Sequence, residues 1–367
     1  MIPIGRIGQS RLSNSHASTP THHQSRRQQG LCNVRSIIPL IQLPDINEAR
    51  RRISDVIVNT PLVRSTGLSR ESGVEVFLKM EHRQKTGSFK LRGATNAISQ
   101  LTEAEKIRGV VTASTGNHGR AVSYAATAAK VRATICVSNL VHENKIAEIR
   151  RLGADLRIIG NSYDEAEQEA ERLAEHDRMV MIHASDDPRI IAGQGTIGLE
   201  LLEALPNVAT VLVAVGSGGL SAGVGLAISS LRPSARILGV SMDRGAAMKA
   251  SLEAGHPVEV EELPSLADAL CGGIGLQNKL TFKACQSLLD DVILVSEEEI
   301  AAGIRYAYDH EHEVVEGAGA VGISALLAGK VTALKGPIAI IISGGNINMA
   351  LHRRVMAGDH TIFQQVG

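Results

Sequence analysis

The residues best suited to chemistry lie in four segments rich in small side chains. The first is Thr86-Gly87-Ser88-Phe89-Lys90-Leu91-Arg92-Gly93. Lys90 stands between a small-residue turn and a run, Leu91 to Leu101, that reads as the opening of a helix. Its apolar residues Leu91, Ala94, Ala97, Ile98 and Leu101 have the three-and-four spacing of one face, and Ser88 is the expected N-cap. A lysine in the first turn of a helix faces the positive end of the dipole, which disfavours its charged form. That suits an amine working neutral, as nucleophile or Schiff-base partner. Most lysines are solvated helix charges, so this segment alone does not decide the matter.

The other three segments each follow a short apolar run. They are Ser114-Thr115-Gly116-Asn117-His118-Gly119, Gly216-Ser217-Gly218-Gly219-Leu220-Ser221-Ala222-Gly223 and Ser343-Gly344-Gly345-Asn346. In parallel sheets ligands sit beyond the carboxyl ends of strands, so these loops can converge on one crevice. The turn Gly216–Gly219 leads into a helix and presents backbone N–H groups to an anion, most simply a phosphate. By itself this turn leaves three readings open. It could be a dinucleotide site, with Gly216, Ser217 and Gly218 opening a GxGxxG pattern and Asp243 as the ribose-binding acid. It could bind another phosphate, or be only a tight turn. Against the dinucleotide, the sixth position is Ser221 rather than glycine.

The elements that must position these loops alternate regularly. A helix is expected over Asp45–Val56, a turn into a short strand at Thr60-Pro61-Leu62, and a strand over Val74–Met80. Beyond the Lys90 helix come strand Val110–Ala113, helix Arg120–Lys130, strand Ala133–Val137, helix Asn144–Leu152, strand Asp155–Ile159, helix Asp164–His176 and strand Met179–Ile182. A second series follows: helix Ala192–Leu205, strand Thr210–Val215, helix Ala222–Ser230, strand Ile237–Ser241, helix Asn278–Leu289, strand Val292–Val295, helix Ile300–Asp309, helix Ala318–Ala328 and strand Ile338–Ile342. Ser296-Glu297-Glu298-Glu299 supplies a cap-and-acid start to the helix after it. Strand and helix alternating over short loops argue for parallel β/α units.

Composition bounds the possibilities. With 367 residues, 44% hydrophobic but only 2% aromatic and no tryptophan, the core must be aliphatic, which favours α/β layering. Lysine plus arginine equals aspartate plus glutamate at 38 each, so no net field draws the chain to nucleic acid or an anionic membrane. The four cysteines, Cys32, Cys136, Cys271 and Cys285, show no ligand-like spacing and read as free thiols in a reducing, cytoplasmic setting. No apolar run approaches the roughly 20 residues that span a bilayer. Residues 1–44 contain no acid before Asp45 and are rich in Arg, Ser, Gln and His. They read as a disordered leader or a start placed too far upstream; the alternative is a targeting peptide.

In their order, Ser88-Phe89-Lys90 with Arg92-Gly93, Ser114–Gly119, Gly216–Leu220 and Ser343–Asn346 resemble the fold-type II pyridoxal-phosphate enzymes, in the threonine/serine dehydratase and serine racemase branch. The resemblance covers Ile46 onward. Finer wording, His82-Arg83-Gln84, Val315-Glu316-Gly317-Ala318-Gly319-Ala320 and Asn346 to Arg354, is similar to the hydroxyectoine-utilisation dehydratases. The resemblance implies a tryptophan synthase β-like fold of two parallel-sheet α/β domains with the active site between them. The large domain would comprise residues 45–108 and 187–367, the small one 109–186. It implies pyridoxal phosphate as cofactor, a small amino acid as substrate, and a homodimer or higher homo-oligomer.

Roles follow from the resemblance position by position. Lys90 would carry the cofactor and later take the substrate's Cα proton. Phe89 would pack beside the cofactor and Asn117 would hydrogen-bond its ring hydroxyl. Ser114, Thr115, Gly116, Asn117 and His118 would bind the substrate carboxylate. Gly216, Ser217, Gly218, Gly219 and Leu220 would cradle the phosphate, Ser343 would meet the pyridine nitrogen, and Glu316 would line the ring's surroundings. For Phe89 and His118 an ordinary structural role is the competing reading. A serine at the ring nitrogen cannot hold a strong positive charge there, which suits β-elimination over transamination.

Two departures from the pattern matter. Racemases of this branch carry serine where this chain has Thr115, the opposite-face base, which puts racemisation in doubt. Ser241, Gly245 and Ala247 occupy the positions of that branch's metal ligands, so no metal is expected there. The reaction expected is dehydration of a 3-hydroxy amino acid, threonine- or serine-like or derived from hydroxyectoine, to a 2-oxo acid and ammonia. The alternatives are a racemase of the same fold, a nicotinamide-dependent oxidoreductase using the Gly216 loop, and a phosphate-ligand sensor in which Lys90 is incidental.

Overall fold

The computed structural model describes residues 41–363, apart from residues 115, 140–142 and 162. Ten strands form two sheets. The larger has the order β1-β2-β10-β7-β8-β9, formed by β1 (Leu62–Ser65), β2 (Val76–Lys79), β7 (Thr210–Ala214), β8 (Arg236–Met242), β9 (Asp291–Val295) and β10 (Ile338–Ile341). Only the β1–β2 pair is antiparallel; the others run parallel, with Ile338 opposite both Val76 and Thr210. The smaller sheet, order β5-β4-β3-β6, is wholly parallel and contains β3 (Val110–Ala113), β4 (Ala133–Val137), β5 (Asp155–Ile158) and β6 (Val180–Met181).

Both faces of the large sheet are covered, which is why its central strands are continuous apolar runs rather than alternating ones. Along β7, Leu212 and Ala214 join one core with Ile304, Ile323 and Ile340, against helices Glu297–Glu311 and Gly317–Leu327. Val211 and Val213 point the other way, toward Ile197, Leu220 and Val224 of helices Pro188–Ala204 and Gly219–Leu231. Ser296 and Glu299 make the expected reciprocal cap at the start of Glu297–Glu311.

Several boundaries shift from those expected. The first helix is Leu43–Ile53, and Ile41 is buried beside Ile46 and Ala49, so packed chain begins before residue 45. The Lys90 helix is Lys90–Ile98, and Ser88 does not cap it. Phe89 takes the N-cap position in helical geometry, while Ser88 forms a β-bridge with Gly344. The Lys90 helix also belongs to the core of the smaller sheet. Leu91, Ala94, Ala97 and Ile98 pack with Val110, Ala121 and Ile135.

One polar cluster lies inside this apolar frame. Arg92 is fully buried and forks onto two carboxylates, Glu81 at 2.8 and 2.9 Å and Glu200 at 2.7 and 2.8 Å. Lys79 adds a bond of 2.5 Å to Glu200 and one of 2.6 Å to the Thr60 carbonyl, and the Thr60 hydroxyl meets Glu81. Two cations and two anions balance. Removing one member leaves an uncompensated buried charge, at a cost of about 3–5 kcal/mol. Arg92→Met should therefore lower unfolding free energy by about that amount in urea titration, and more than Arg51→Met, whose partner Glu48 sits on the exposed first helix. Equal losses from the two variants would show that the cluster does not carry this part of the fold.

Candidate active site

Strand β7 ends at Ala214 and its chain turns through Gly216–Gly219 into helix Gly219–Leu231. Gly218 is the N-cap in a left-handed conformation, φ +91°, with no side chain to cap the helix. A Cβ there would lie 2.8 Å from Met248 and 3.0 Å from Cys285 Sγ, and one on Gly216 would lie 3.0 Å from the Leu270 main chain. Only glycine fits these positions. The first-turn N–H groups have no intrahelical acceptor and sit at the positive end of the dipole. Such a cradle suits a phosphate.

Lys90 reaches the same pocket from the start of helix Lys90–Ile98. Its Nζ donates to the Ala184 carbonyl at 2.9 Å and lies 5.5 Å from the Phe89 ring centroid. Burial pushes its pKa down to about 8, with the Glu316 carboxylate acting in the opposite sense. The amine's pKa is depressed in the expected direction, but removal from water, rather than the helix dipole, is its principal cause. The turn before it is clamped to the loop after β10. Phe89 N–H donates to the Ser343 carbonyl and Gly345 N–H to the Gly87 carbonyl, each at 3.0 Å.

Asn117, Glu316 and Asn346 form a connected group beside the amine. Asn117 Nδ2 donates to Glu316 Oε1 at 2.6 Å, and Asn346 N–H to Glu316 Oε2 at 3.0 Å. Burial pushes Glu316 up to about 7, assisted by the charge of Asp268 and opposed by those two hydrogen bonds. Ser343 is buried and its hydroxyl donates to the Ala318 carbonyl at 3.1 Å.

Phe89, Lys90, Asn117, Gly216 through Leu220, Glu316 and Ser343 all line one pocket. Ser114 and Gly116 do not line it, and Thr115 lies outside the described residues. His118 does not line it either. Its imidazole is buried and pairs through Nε2 with the Ile182 carbonyl at 2.9 Å, and burial drives its pKa down to about 3. That side chain is a neutral structural group, so only its main-chain N–H could meet a carboxylate. Asp243 is likewise absent from the pocket, which removes the acid a dinucleotide would need.

Sequence reasoning missed the wall made by Ala214, Ala269, Leu270 and Ala318, and the segment Ala184–Asp187. That segment offers the Ala184 carbonyl to Lys90, while Asp186 accepts N–H bonds of 2.8–2.9 Å from residues 279–281 behind the glycine turn. Among the described residues no cluster of three or more His, Cys, Asp or Glu could hold a metal ion. No described helix is long and apolar enough to cross a membrane. Burial pushes the thiols Cys136, Cys271 and Cys285 up to about 11, 12 and 12, and all three are free.

Residues 53–344 match the model of the pyridoxal-phosphate dependent enzymes. A Sinorhizobium fredii protein provisionally named a threonine dehydratase is 59% identical over 87% of this chain and 96% of its own length. An L-threonine ammonia-lyase of Thermotoga maritima is 44% identical over 86% of this chain and 78% of its own. Among solved structures, maize serine racemase superposes with a TM-score of 0.82 at 32% identity, covering 89% of this chain and 99% of its own. The processed form of threonine deaminase isoform 2 from Solanum lycopersicum gives 0.80 at 32% identity, covering 98% and 100%.

The amine is testable without cofactor. In the cofactor-free protein, the pH dependence of acetylation of the Lys90 peptide should have its midpoint near 8. A midpoint near the ordinary lysine value of about 10.4 would show that burial does not depress it.

Proposed function

The chain belongs to the pyridoxal-phosphate dependent enzymes, among the threonine dehydratases with their fold-type II architecture, and on that premise we propose how its own residues act. It is a pyridoxal-phosphate dependent ammonia-lyase. The reaction we infer is loss of water from a 3-hydroxy amino acid to give a 2-oxo acid and ammonia. One observation carries this reading: a partly buried amine, its pKa pushed down to about 8, shares a pocket with a glycine cradle suited to phosphate. The donor set fits the cofactor. The cradle suits its phosphate, Lys90 its aldehyde, the Asn117 amide its ring hydroxyl and the uncharged Ser343 hydroxyl its ring nitrogen.

When bound, the cofactor supplies an electron sink for charge developing at Cα. Lys90 Nζ is the base for the Cα proton, since an amine with pKa near 8 is about half neutral at mildly alkaline pH, where an ordinary lysine stays charged. The Ala184 carbonyl holds that amine in place. Phe89 packs beside the ring. The N–H and O–H donors of Ser114, Thr115, Gly116, Asn117 and His118 would bind the substrate carboxylate, and the family resemblance alone gives Thr115 the opposite-face role. The Ser343 hydroxyl brings no negative charge to the ring nitrogen and so favours departure of the β-hydroxyl over transamination. The enamine released then hydrolyses in water. The large portion would be residues 45–108 and 187–367 and the small one 109–186, with the Lys90 helix shared between their cores.

Within the substrate class we propose threonine, serine or a 3-hydroxy amino acid arising from hydroxyectoine. The last is supported by the wording of His82–Gln84, Val315–Ala320 and Asn346–Arg354. We also propose a homodimer or higher homo-oligomer, by resemblance to the family. Ammonia release across a panel of 3-hydroxy amino acids tests the reaction and identifies the preferred side chain. Inversion at Cα without ammonia would overturn elimination in favour of racemisation. Borohydride should fix the cofactor's mass on the Lys90 peptide, and Lys90→Ala should reduce turnover by at least about 1,000-fold while retaining the fold. Retained turnover would refute the role given to Lys90.

A further inference from the structure

Asn346 has no place in the reaction as described, yet its side chain makes three hydrogen bonds beside the pocket. Its Nδ2 donates to the Thr86 carbonyl at 2.9 Å and to Asn117 Oδ1 at 2.6 Å. Its Oδ1 accepts from Arg120 Nη1 at 3.0 Å, and its main-chain N–H donates to Glu316 Oε2 at 3.0 Å. The backbone leaves room for this arrangement. A Cβ on Gly87 would lie 2.4 Å from Asn346 Oδ1, and one on Gly344 would lie 2.2 Å from Glu316 Oε1.

The consequence falls on Asn117. An amide side chain offers two N–H donors and one carbonyl acceptor. Asn346 occupies the Asn117 carbonyl and Glu316 takes one of its hydrogens. Turning the amide over would set its NH2 against the NH2 of Asn346 and its oxygen against the Glu316 carboxylate. One N–H is left for the pocket that Asn117 lines. We propose that Asn346 is a positioning residue that locks the Asn117 amide so that it presents only a donor to the pocket. The ligand group beside it must then be an oxygen that accepts, which favours the ionised form of a phenolic hydroxyl.

This proposal rests on the reading that Asn117 faces the cofactor's ring hydroxyl, and its test separates the two. Dissociation constants of pyridoxal phosphate and its 3-deoxy analogue are compared in the native protein, Asn346→Ala and Asn346→Asp. Hydrogen bonds to charged groups imply that the native protein should prefer the hydroxylated cofactor by about tenfold or more. Both variants should lose most of that preference, because the freed amide can turn. Asn346→Asp has nearly the same shape and keeps the comparison valid should Asn346→Ala not fold. It cannot donate to Asn117 Oδ1. If the variants weaken both ligands equally and the preference survives, Asn346 is merely structural and the proposal fails. If the native protein shows no preference, the reading of Asn117 fails first. The visible spectrum of the bound cofactor is an independent readout. It should titrate with pH in the variants over a range where the native spectrum is constant; identical titrations would also overturn the proposal.

Discussion

Everything near the pocket depends on a charge that cannot leave the interior. The Arg92 guanidinium sits two residues beyond Lys90, fully buried, with its hydrogens directed at Glu81 and Glu200. Glu81 follows β2 and Glu200 lies on Pro188–Ala204, so one planar group fixes the Lys90 helix against the carboxyl end of β2 and a helix covering the sheet. A lysine could match the charge but not the two-pronged geometry. Such a cluster adds little net stability over apolar packing, because desolvation opposes Coulomb attraction. Its effect is on placement: any shift of the helix breaks several short bonds to charged groups at once.

A second constraint acts through backbone alone. The loop after β10 and the chain from Val314 into helix Gly317–Leu327 approach so closely that side chains are excluded where they meet. A Cβ on Gly319 would lie 2.3 Å from the Gly344 carbonyl, and one on Gly345 2.7 Å from that of Val314. The site is therefore assembled from loops that touch main chain to main chain. This leaves little slack between the amine, the Ser343 hydroxyl and the Glu316 carboxylate.

These two constraints also explain what was legible in the sequence. The glycine turn after β7 and the lysine at a helix start announce themselves locally, because a strand-to-helix turn and a small-residue loop have their own residue signatures. The pocket gathers Lys90, Asn117, Gly216–Leu220, Glu316 and Ser343 from those segments. The Ala184 carbonyl was not legible, since any residue supplies one. The pairing of Arg92 with Glu200 spans 108 positions and carries no periodic signal. Ser88 misled for a related reason. Its residue type suggests a local role in capping, which a tertiary contact with Gly344 displaced. Burial also set the amine's pKa, where local reasoning offered only the dipole.

The strand order has a bearing on how the protein comes into being. The smaller sheet is contiguous in the chain and can form as soon as β6 has emerged. The larger sheet cannot, because β10, which is made after all the other described strands, separates β2 from β7. Until it arrives, the strand leading to Lys90 and the strand leading to the phosphate cradle have no shared neighbour. Parallel pairings over such separations are slow to close. A nascent chain stopped short of β10 would thus hold both halves of the site and be unable to join them, so cofactor capture reports that translation has run past residue 341.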